Sequence, residues 1–462
     1  MWNDYNRWTM EAYEDALEYL YRFTDFSLER KLRYAPERFD LQRMRDFLAQ
    51  IGLPQAAFPI IHIAGTKGKG SVAAFCAAML QAGGYRVGLY TSPHLHEYTE
   101  RIQINGEAIP KAAFVRLVDE LRPFLADDSA LTTFEITTAL ALLYFQQQGA
   151  TAAVLEVGLG GRLDATNVIE PLASVITPIS YDHTEFLGNT LAQIAAEKAG
   201  IIKPNTPVIV GPQAPEAQEV LVRIAAEREA PCLLVEQFYN WELVNRDLSG
   251  QTFRVWPRPD APWQTFEWAP PAARELRVPL LGRHQMENAV TAFAALQTAH
   301  NLGLALAEGA YEHGLARVHW PGRFEILAAA PTLVVDAAHN VDSARRLVAA
   351  LDDVFPGAPT TLLFGASSDK DLAGMLAELL PRVQRVIFTQ SDHPRAVTAA
   401  DLAAYAPDFD GQVLAVESPA LALEAAVRAA PPEAVILATG SLFLAAEIRR
   451  AWRERQVAAL DK

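Results

Sequence analysis

Gly65-Thr66-Lys67-Gly68-Lys69-Gly70-Ser71 packs three glycines, two lysines and two hydroxyls into seven residues. Glycines let backbone N–H groups turn inward onto phosphate oxygens. A helix starting at such a loop adds a positive partial charge. Lys69 can reach β- and γ-phosphates, and Ser71 can meet a phosphate oxygen or a metal. The strict G-x-x-x-x-G-K-[ST] spacing is not met, because Gly70 separates Lys69 from Ser71. A flexible surface turn is the plainer reading, but an apolar run before the loop and a small-residue run after it favour phosphate binding. The loop alone does not distinguish a kinase, a GTPase, a ligase or a regulatory ATPase.

Other candidates lie at the ends of apolar runs. Glu156 closes one, in Leu155-Glu156-Val157-Gly158-Leu159-Gly160-Gly161-Arg162. A carboxylate there could hold Mg²⁺ against phosphates; pairing with Arg162 is the plainer reading. His183 follows another run and could bind a metal through neutral imidazole, although a lone His is more often structural or solvent-exposed. Ser92 stands in a Ser-Pro turn. Lys198 ends a small-residue helix, where a cation suits the C-terminus.

The elements that must position these residues alternate. Residues 1–58 read as helices, with Arg-rich turns such as 28–33. Strands are expected at 59–64, 85–90, 152–157, 174–178 and 207–210. Helices are expected at 72–80, 134–146, 191–200 and 282–300. Strand, glycine loop, helix and strand in order make a βαβ unit. The Trp-rich stretch 236–280 reads as a small antiparallel excursion. Pro321-Gly322 marks a boundary, after which strands are expected at 333–336, 360–364, 385–389 and 434–438, and helices at 343–353, 372–380, 420–429 and 442–453. The tail after Arg453 reads as a frayed helix end. The expected fold is α/β: a P-loop ATPase-like, mostly parallel sheet domain with N-terminal helices over 1–318, then a smaller Rossmann-like α/β domain over 319–462.

Composition bounds the function. The 462 residues carry 40 Lys and Arg against 55 Asp and Glu, a formal net charge of −15. That argues against general nucleic-acid binding. Two cysteines, Cys76 and Cys232, cannot make a disulfide framework or a zinc cluster and fit a reducing compartment. No signal peptide and no uncharged run of about 20 residues is visible, so a cytoplasmic protein without membrane partners is expected. A monomer is the default, since no heptad stripe appears.

Taken together, the residues carry a family pattern. The blocks are His62-Ile-Ala-Gly-Thr-Lys-Gly-Lys-Gly-Ser71, Thr91-Ser-Pro-His-Leu95, Tyr98-Thr-Glu-Arg-Ile102, Phe134-Glu135, Leu155 through Asn167, Asp182-His183, Glu197 through Lys203, Gly282-Arg-His-Gln285 with Asn288, Pro321-Gly-Arg-Phe-Glu325, Val335-Asp-Ala-Ala-His-Asn340 and Thr439-Gly-Ser-Leu-Phe443. In this order they resemble the folylpolyglutamate synthase and bifunctional dihydrofolate synthase family of the Mur ligase superfamily, over nearly the whole chain.

The resemblance implies that Gly65, Thr66, Lys67, Gly68, Lys69, Gly70 and Ser71 cradle ATP, with Asn288, Arg323 and Asp336 also on the nucleotide. It implies that Ser92, Glu156 and His183 hold Mg²⁺, at two sites. Lys198 matches a lysine that is carbamylated in the family, which would turn a cation into a hard oxygen ligand. His339 and Ser441 would line the glutamate site, and Arg101, Phe134 and Asp164 the folate site. Lys69, Glu156, His183, Lys198 and Arg323 would carry catalysis. One departure is Lys67, where the family commonly has Asn; an added cation is compatible with phosphate.

The activity so implied is ATP-dependent amide ligation: a folate carboxylate becomes an acyl phosphate, and the α-amine of L-glutamate displaces phosphate. Addition to dihydropteroate, to folates or to both fits the blocks. The rivals are another Mur-type ligase acting on a cell-wall or storage-polymer precursor, and a non-catalytic P-loop nucleotide switch. The switch would leave Glu156, His183 and Lys198 without a shared purpose.

Overall fold

The computed structural model describes residues 2–23, 40–125, 130–266 and 268–460, with side chains described from 9 to 458 within those ranges. The Arg-rich turn expected at 28–33 lies outside the described residues. The chain divides into two compact units: residues 1–242, 254–276 and 287–318 form one, and 243–253, 277–286 and 319–462 the other.

The first unit is built on eight strands: β1 (Ile60–Ala64), β2 (Val87–Tyr90), β3 (Ile102–Ile104), β4 (Glu107–Ala108), β5 (Ala152–Glu156), β6 (Ala173–Ile176), β7 (Val208–Val210) and β8 (Cys232–Leu234). Their order is β4-β3-β2-β5-β1-β6-β7-β8. β1 is central and parallel to both neighbours, with Ile63 opposite Glu156 and Val175. Only the β2-β3 and β3-β4 pairs are antiparallel. β1, β2, β5, β6 and β7 are buried along their whole length, as expected of a parallel sheet covered on both faces.

Helices α1 (Trp2–Tyr21), α2 (Leu41–Gln50), α3 (Lys69–Ala82), α4 (Lys111–Leu121), α5 (Thr133–Gln147), α6 (Thr184–Leu187) and α7 (Leu191–Lys198) follow in chain order, among others. α3 is rich in Ala and other small residues, which lets it lie close on the sheet; nine of its residues are buried. α5 starts with a capping box: Thr132 Oγ1 accepts from the Glu135 amide, and Glu135 accepts from the Thr132 amide at 2.7 Å. That box satisfies orphan donors of the first turn. The same Glu135 takes a two-oxygen grip from Arg43 of α2, at 2.8 and 2.9 Å. Glu135 is therefore explained by architecture.

The expected excursion is a three-stranded sheet in the order β11-β10-β9, made of β9 (Tyr239–Asp247), β10 (Gly250–Pro257) and β11 (Arg274–Val278). The second unit carries a six-stranded sheet: β12 (Glu325–Ala329), β13 (Thr332–Val335), β14 (Thr360–Phe364), β15 (Arg385–Phe388), β16 (Gln412–Ala415) and β17 (Val435–Thr439). Its order is β12-β13-β17-β14-β15-β16, parallel except for β12 on β13. The final helix runs Leu442–Leu460, continuing beyond the end expected at Arg453. Buried Leu444, Ala445 and Ile448 anchor its first half in the core of the sheet, and the rest propagates at one hydrogen bond per residue.

Candidate active site

The loop of the first unit leaves β1 and becomes α3. Gly68 caps the helix with φ +83°, a conformation that glycine adopts freely. A Cβ at Gly68 would run into Asn288 Oδ1, so the loop and Asn288 are neighbours. The Thr66 and Lys67 amides donate to Pro178 O at 3.1 and 3.0 Å, and Thr66 Oγ1 donates to Ser180 O. Those bonds fix the loop to the end of β6. The amides of Lys69, Gly70 and Ser71 belong to the first turn of α3, where no carbonyl lies four residues back within the helix.

Glu156 ends β5 and is almost fully buried. Its Oε2 accepts from the Ser92 amide at 3.1 Å, and its Oε1 lies 3.9 Å from Lys69 Nζ. Arg162 is spoken for elsewhere: it grips Glu197 Oε1 at 2.8 Å. The plain pairing of Glu156 with Arg162 is thus replaced by a carboxylate that faces the phosphate-loop lysine and Ser92.

Lys198, the last residue of α7, is buried. Gly161 lets the chain after β5 approach it: a Cβ there would sit 2.9 Å from the Lys198 carbonyl oxygen. Burial, with Lys69 and Lys67 adding repulsion, pushes the Lys198 amine from the ordinary 10.5 down to about 7. Asp182 and Asp164 oppose that shift. A large fraction of the amine is therefore neutral near pH 7.

His183 stands at φ +48°, half exposed, with Nε2 3.8 Å from Asp182 Oδ1. Asp182 Oδ2 also meets Lys67 Nζ at 3.3 Å. The extra cation in the loop thus has a carboxylate partner beside His183. Asp182 is a site candidate that motif reading quoted and left without a role; its adjacency to His183 was the available signal.

The donors suit a hard cation. Glu156 supplies a carboxylate at a strand end, with Ser92 beside it. Among the described residues no group of three or more His, Cys, Asp or Glu converges on one point. A cation held by Glu156, Ser92 or His183 would therefore complete its shell with phosphate and water oxygens, as Mg²⁺ commonly does.

The folate-side candidates gather near β2 and α5. Arg101 Nε donates to His94 Nδ1 at 3.0 Å, and its guanidinium lies 4.6 Å from the Tyr98 ring centre. Burial, then Arg101, holds His94 down at about 4, so the ring is neutral. Phe134 is 5.9 Å from Tyr90, ring to ring. Asp164 accepts from the amides of Gly158, Leu159 and Thr166 and from the Thr166 hydroxyl. Its carboxylate therefore holds the turn after Glu156.

In the second unit, Asp336 follows β13 and accepts from the Phe324 and Ala338 amides, each at 2.8 Å. Desolvation pushes it up, and Arg323 opposes. Arg323 donates to Gly322 O at 3.0 Å. His339 Nδ1 lies 2.9 Å from Ala337 O. Ser441 Oγ accepts from the Leu444 amide at 3.1 Å, capping the final helix. All four belong to loops after parallel strands or next to them, where α/β sheets bind ligands.

Residues 63–296 match the Mur ligase middle domain family, and residues 322–442 the Mur ligase glutamate ligase domain family. The dihydrofolate synthase/folylpolyglutamate synthase of Bacillus subtilis is 32% identical, over 95% of this chain and 99% of that protein. This chain belongs to the dihydrofolate synthase/folylpolyglutamate synthase family of Mur ligases. The folylpolyglutamate synthase of Lacticaseibacillus casei is 35% identical, over 89% of this chain and 94% of its own. A Mycobacterium tuberculosis folylpolyglutamate synthase solved with ADP superposes with a TM-score of 0.83 at 32% identity, covering 96% of this chain and 99% of that one. The family's two-domain α/β fold is the fold seen here. Among the described residues, no helix is long and apolar enough to cross a membrane.

Proposed function

We propose that this chain joins L-glutamate to the carboxylate of a folate, using ATP, and that it also accepts dihydropteroate. The observation that carries this reading is the convergence of Lys69, Glu156, Ser92 and a buried Lys198, its amine held down at about 7, on one end of the parallel sheet, in a chain of this family.

The phosphate loop, from Gly65 through Ser71, binds the nucleotide, with Asn288 against Gly68; Arg323 and Asp336 carry the nucleotide assignment in the second unit. The acceptor carboxylate attacks the γ-phosphorus, ADP leaves, and an acyl phosphate forms. The glutamate α-amine then attacks the acyl carbon; phosphate departs and the amine loses its proton. Lys69 and Arg323 stabilise the charge on the transferring group. Glu156, Ser92 and His183 would hold Mg²⁺, at two sites, and bound Mg²⁺ would neutralise phosphate charge. Lys198, as a neutral amine, takes up CO₂ with loss of one proton, giving a carbamate whose oxygens suit the same cation. His339 and Ser441 carry the glutamate assignment, and Arg101, Phe134 and Asp164 the folate assignment. Both cysteines are free, which fits a reducing cytoplasm.

The test is product mass after incubation with Mg-ATP and L-glutamate, with dihydropteroate and tetrahydrofolate in parallel. One added glutamyl unit on both acceptors supports the bifunctional reading. A gain on one alone restricts it. ATP hydrolysis with no gain on either rejects it in favour of another Mur-type acceptor.

A further inference from the structure

His62 lies within β1, three residues before Gly65, and is fully buried. Its Nε2 is 2.8 Å from Thr166 Oγ1, and Thr166 Oγ1 is 2.5 Å from Asp164 Oδ1. The Gly158, Leu159 and Thr166 amides all donate to Asp164, and the Thr166 hydroxyl donates to its Oδ1; with its proton so placed, that hydroxyl accepts from His62. That order assigns the proton of His62 to Nε2. Its Nδ1 is buried without a hydrogen-bond partner, so the ring serves one directed bond. Thr166 is buried as well. Burial holds the His62 ring neutral, pushed down to about 3.

The far end of this relay is the turn after Glu156. Asp164 Oδ2 accepts from the Gly158 and Leu159 amides, both at 3.0 Å. Gly158 in turn lies against the tip of the Phe134 ring: a Cβ there would sit 2.6 Å from Phe134 Cζ. One chain of hydrogen bonds therefore runs from the strand that carries the phosphate loop to the turn between Glu156 and the Phe134 ring.

We propose that His62 is a positioning residue for ligation, acting through Thr166 and Asp164 to set the Gly158-Leu159 turn, and with it the acceptor side of the site. The inference rests on the folate-ligase reading above. Buried hydrogen-bond chains of this kind fix geometry because each bond in them is directed, with one donor and one acceptor.

The experiment is steady-state ligation by the full chain with H62L, H62Q, T166V, T166S and the H62L/T166V pair, together with ADP titration and Tm. H62L and T166V are each expected to raise the acceptor KM by about tenfold, the worth of one buried hydrogen bond. ADP affinity stays within about twofold. H62Q keeps a donor at the same place and T166S keeps the hydroxyl; both recover most of the loss. The double variant is no worse than the poorer single one, because one relay is broken once. Additive losses, equal losses on ADP and acceptor, or an unchanged acceptor KM would overturn the proposal. If H62L does not fold, T166V against T166S decides alone. Nitrogen-15 NMR of labelled histidine adds a readout free of activity: an Nε2–H ring is expected, and an Nδ1–H ring overturns the relay. If the wild-type chain ligates neither acceptor, the folate reading falls, and the tautomer still decides the relay.

Discussion

Glu156 and Lys198 are both buried, and the roles proposed for them can be tested one residue at a time. Glu156→Ala is expected to lower ligation by about a hundredfold or more, the scale of losing a group that stabilises transition-state charge; an unchanged Tm with retained activity would refute its role. Lys198 supplies a pH test. Only its neutral amine can take up CO₂, so ligation is expected to fall as pH drops through about 7. Added bicarbonate at fixed pH should recover part of that loss, and a rate indifferent to bicarbonate would argue against carbamylation. Stability gives the complementary sign. With a native pKa near 7 against the ordinary 10.5, the folded, uncarbamylated chain holds fewer protons than the unfolded one between those values. Stability from this group therefore rises with pH across that window, and the penalty is complete below it. Lys198→Met should flatten the rise in CO₂-free buffer, measured as Tm at pH 7 and pH 10, and should leave a folded chain without ligation.

The β1–loop–α3 element works as one piece, because the loop is tied at both ends. Thr66 and Lys67 are fastened to Pro178, and Gly68 turns left-handed against Asn288. Gly68→Ala must adopt φ near +83° at a cost of about 1–2 kcal/mol and displace Asn288 as well. The expected result is a lower Tm and ADP affinity reduced by about tenfold or more, read by calorimetry; ADP binding equal to wild type would separate this turn from the nucleotide. The start of α5 makes a purely structural contrast. Thr132→Ala removes its cap and is expected to lower stability by about 1 kcal/mol while leaving KM for ATP unchanged.

For the whole molecule, the proposal of one nucleotide and one glutamate machinery for two acceptors has a kinetic consequence. Glu156 and Lys198 variants should depress dihydropteroate and tetrahydrofolate ligation in the same proportion. Phe134→Ala should change the ratio between the two, since the proposal assigns it to the folate side; equal loss on both would move Phe134 out of that role. The sequence alone determined the βα alternation, the glycine loop, the strand-end carboxylate and the ordered blocks that carry the family likeness. Those features are local: apolar runs of strand length, glycines at a turn, and small residues on a helix declare themselves within a few residues. Strands β3, β4, β8, β12 and β16 escaped that reading. They are edge or next-to-edge strands of two to five residues, stabilised by pairing with chain that is distant in sequence or only partly buried. The site divides the same way. Glu156 could be picked out as a candidate from its place at the end of an apolar run. Its partner could not: Arg162 is six residues away and goes to Glu197, while Lys69 comes from the first turn of α3, 87 residues earlier. The lowered pKa of Lys198, the Lys67–Asp182 pair and the bond from His62 to Thr166, 104 residues apart, exist only once the sheet is assembled. Tertiary structure decided them because burial and a shared, water-poor space set which charges meet and which protons are held.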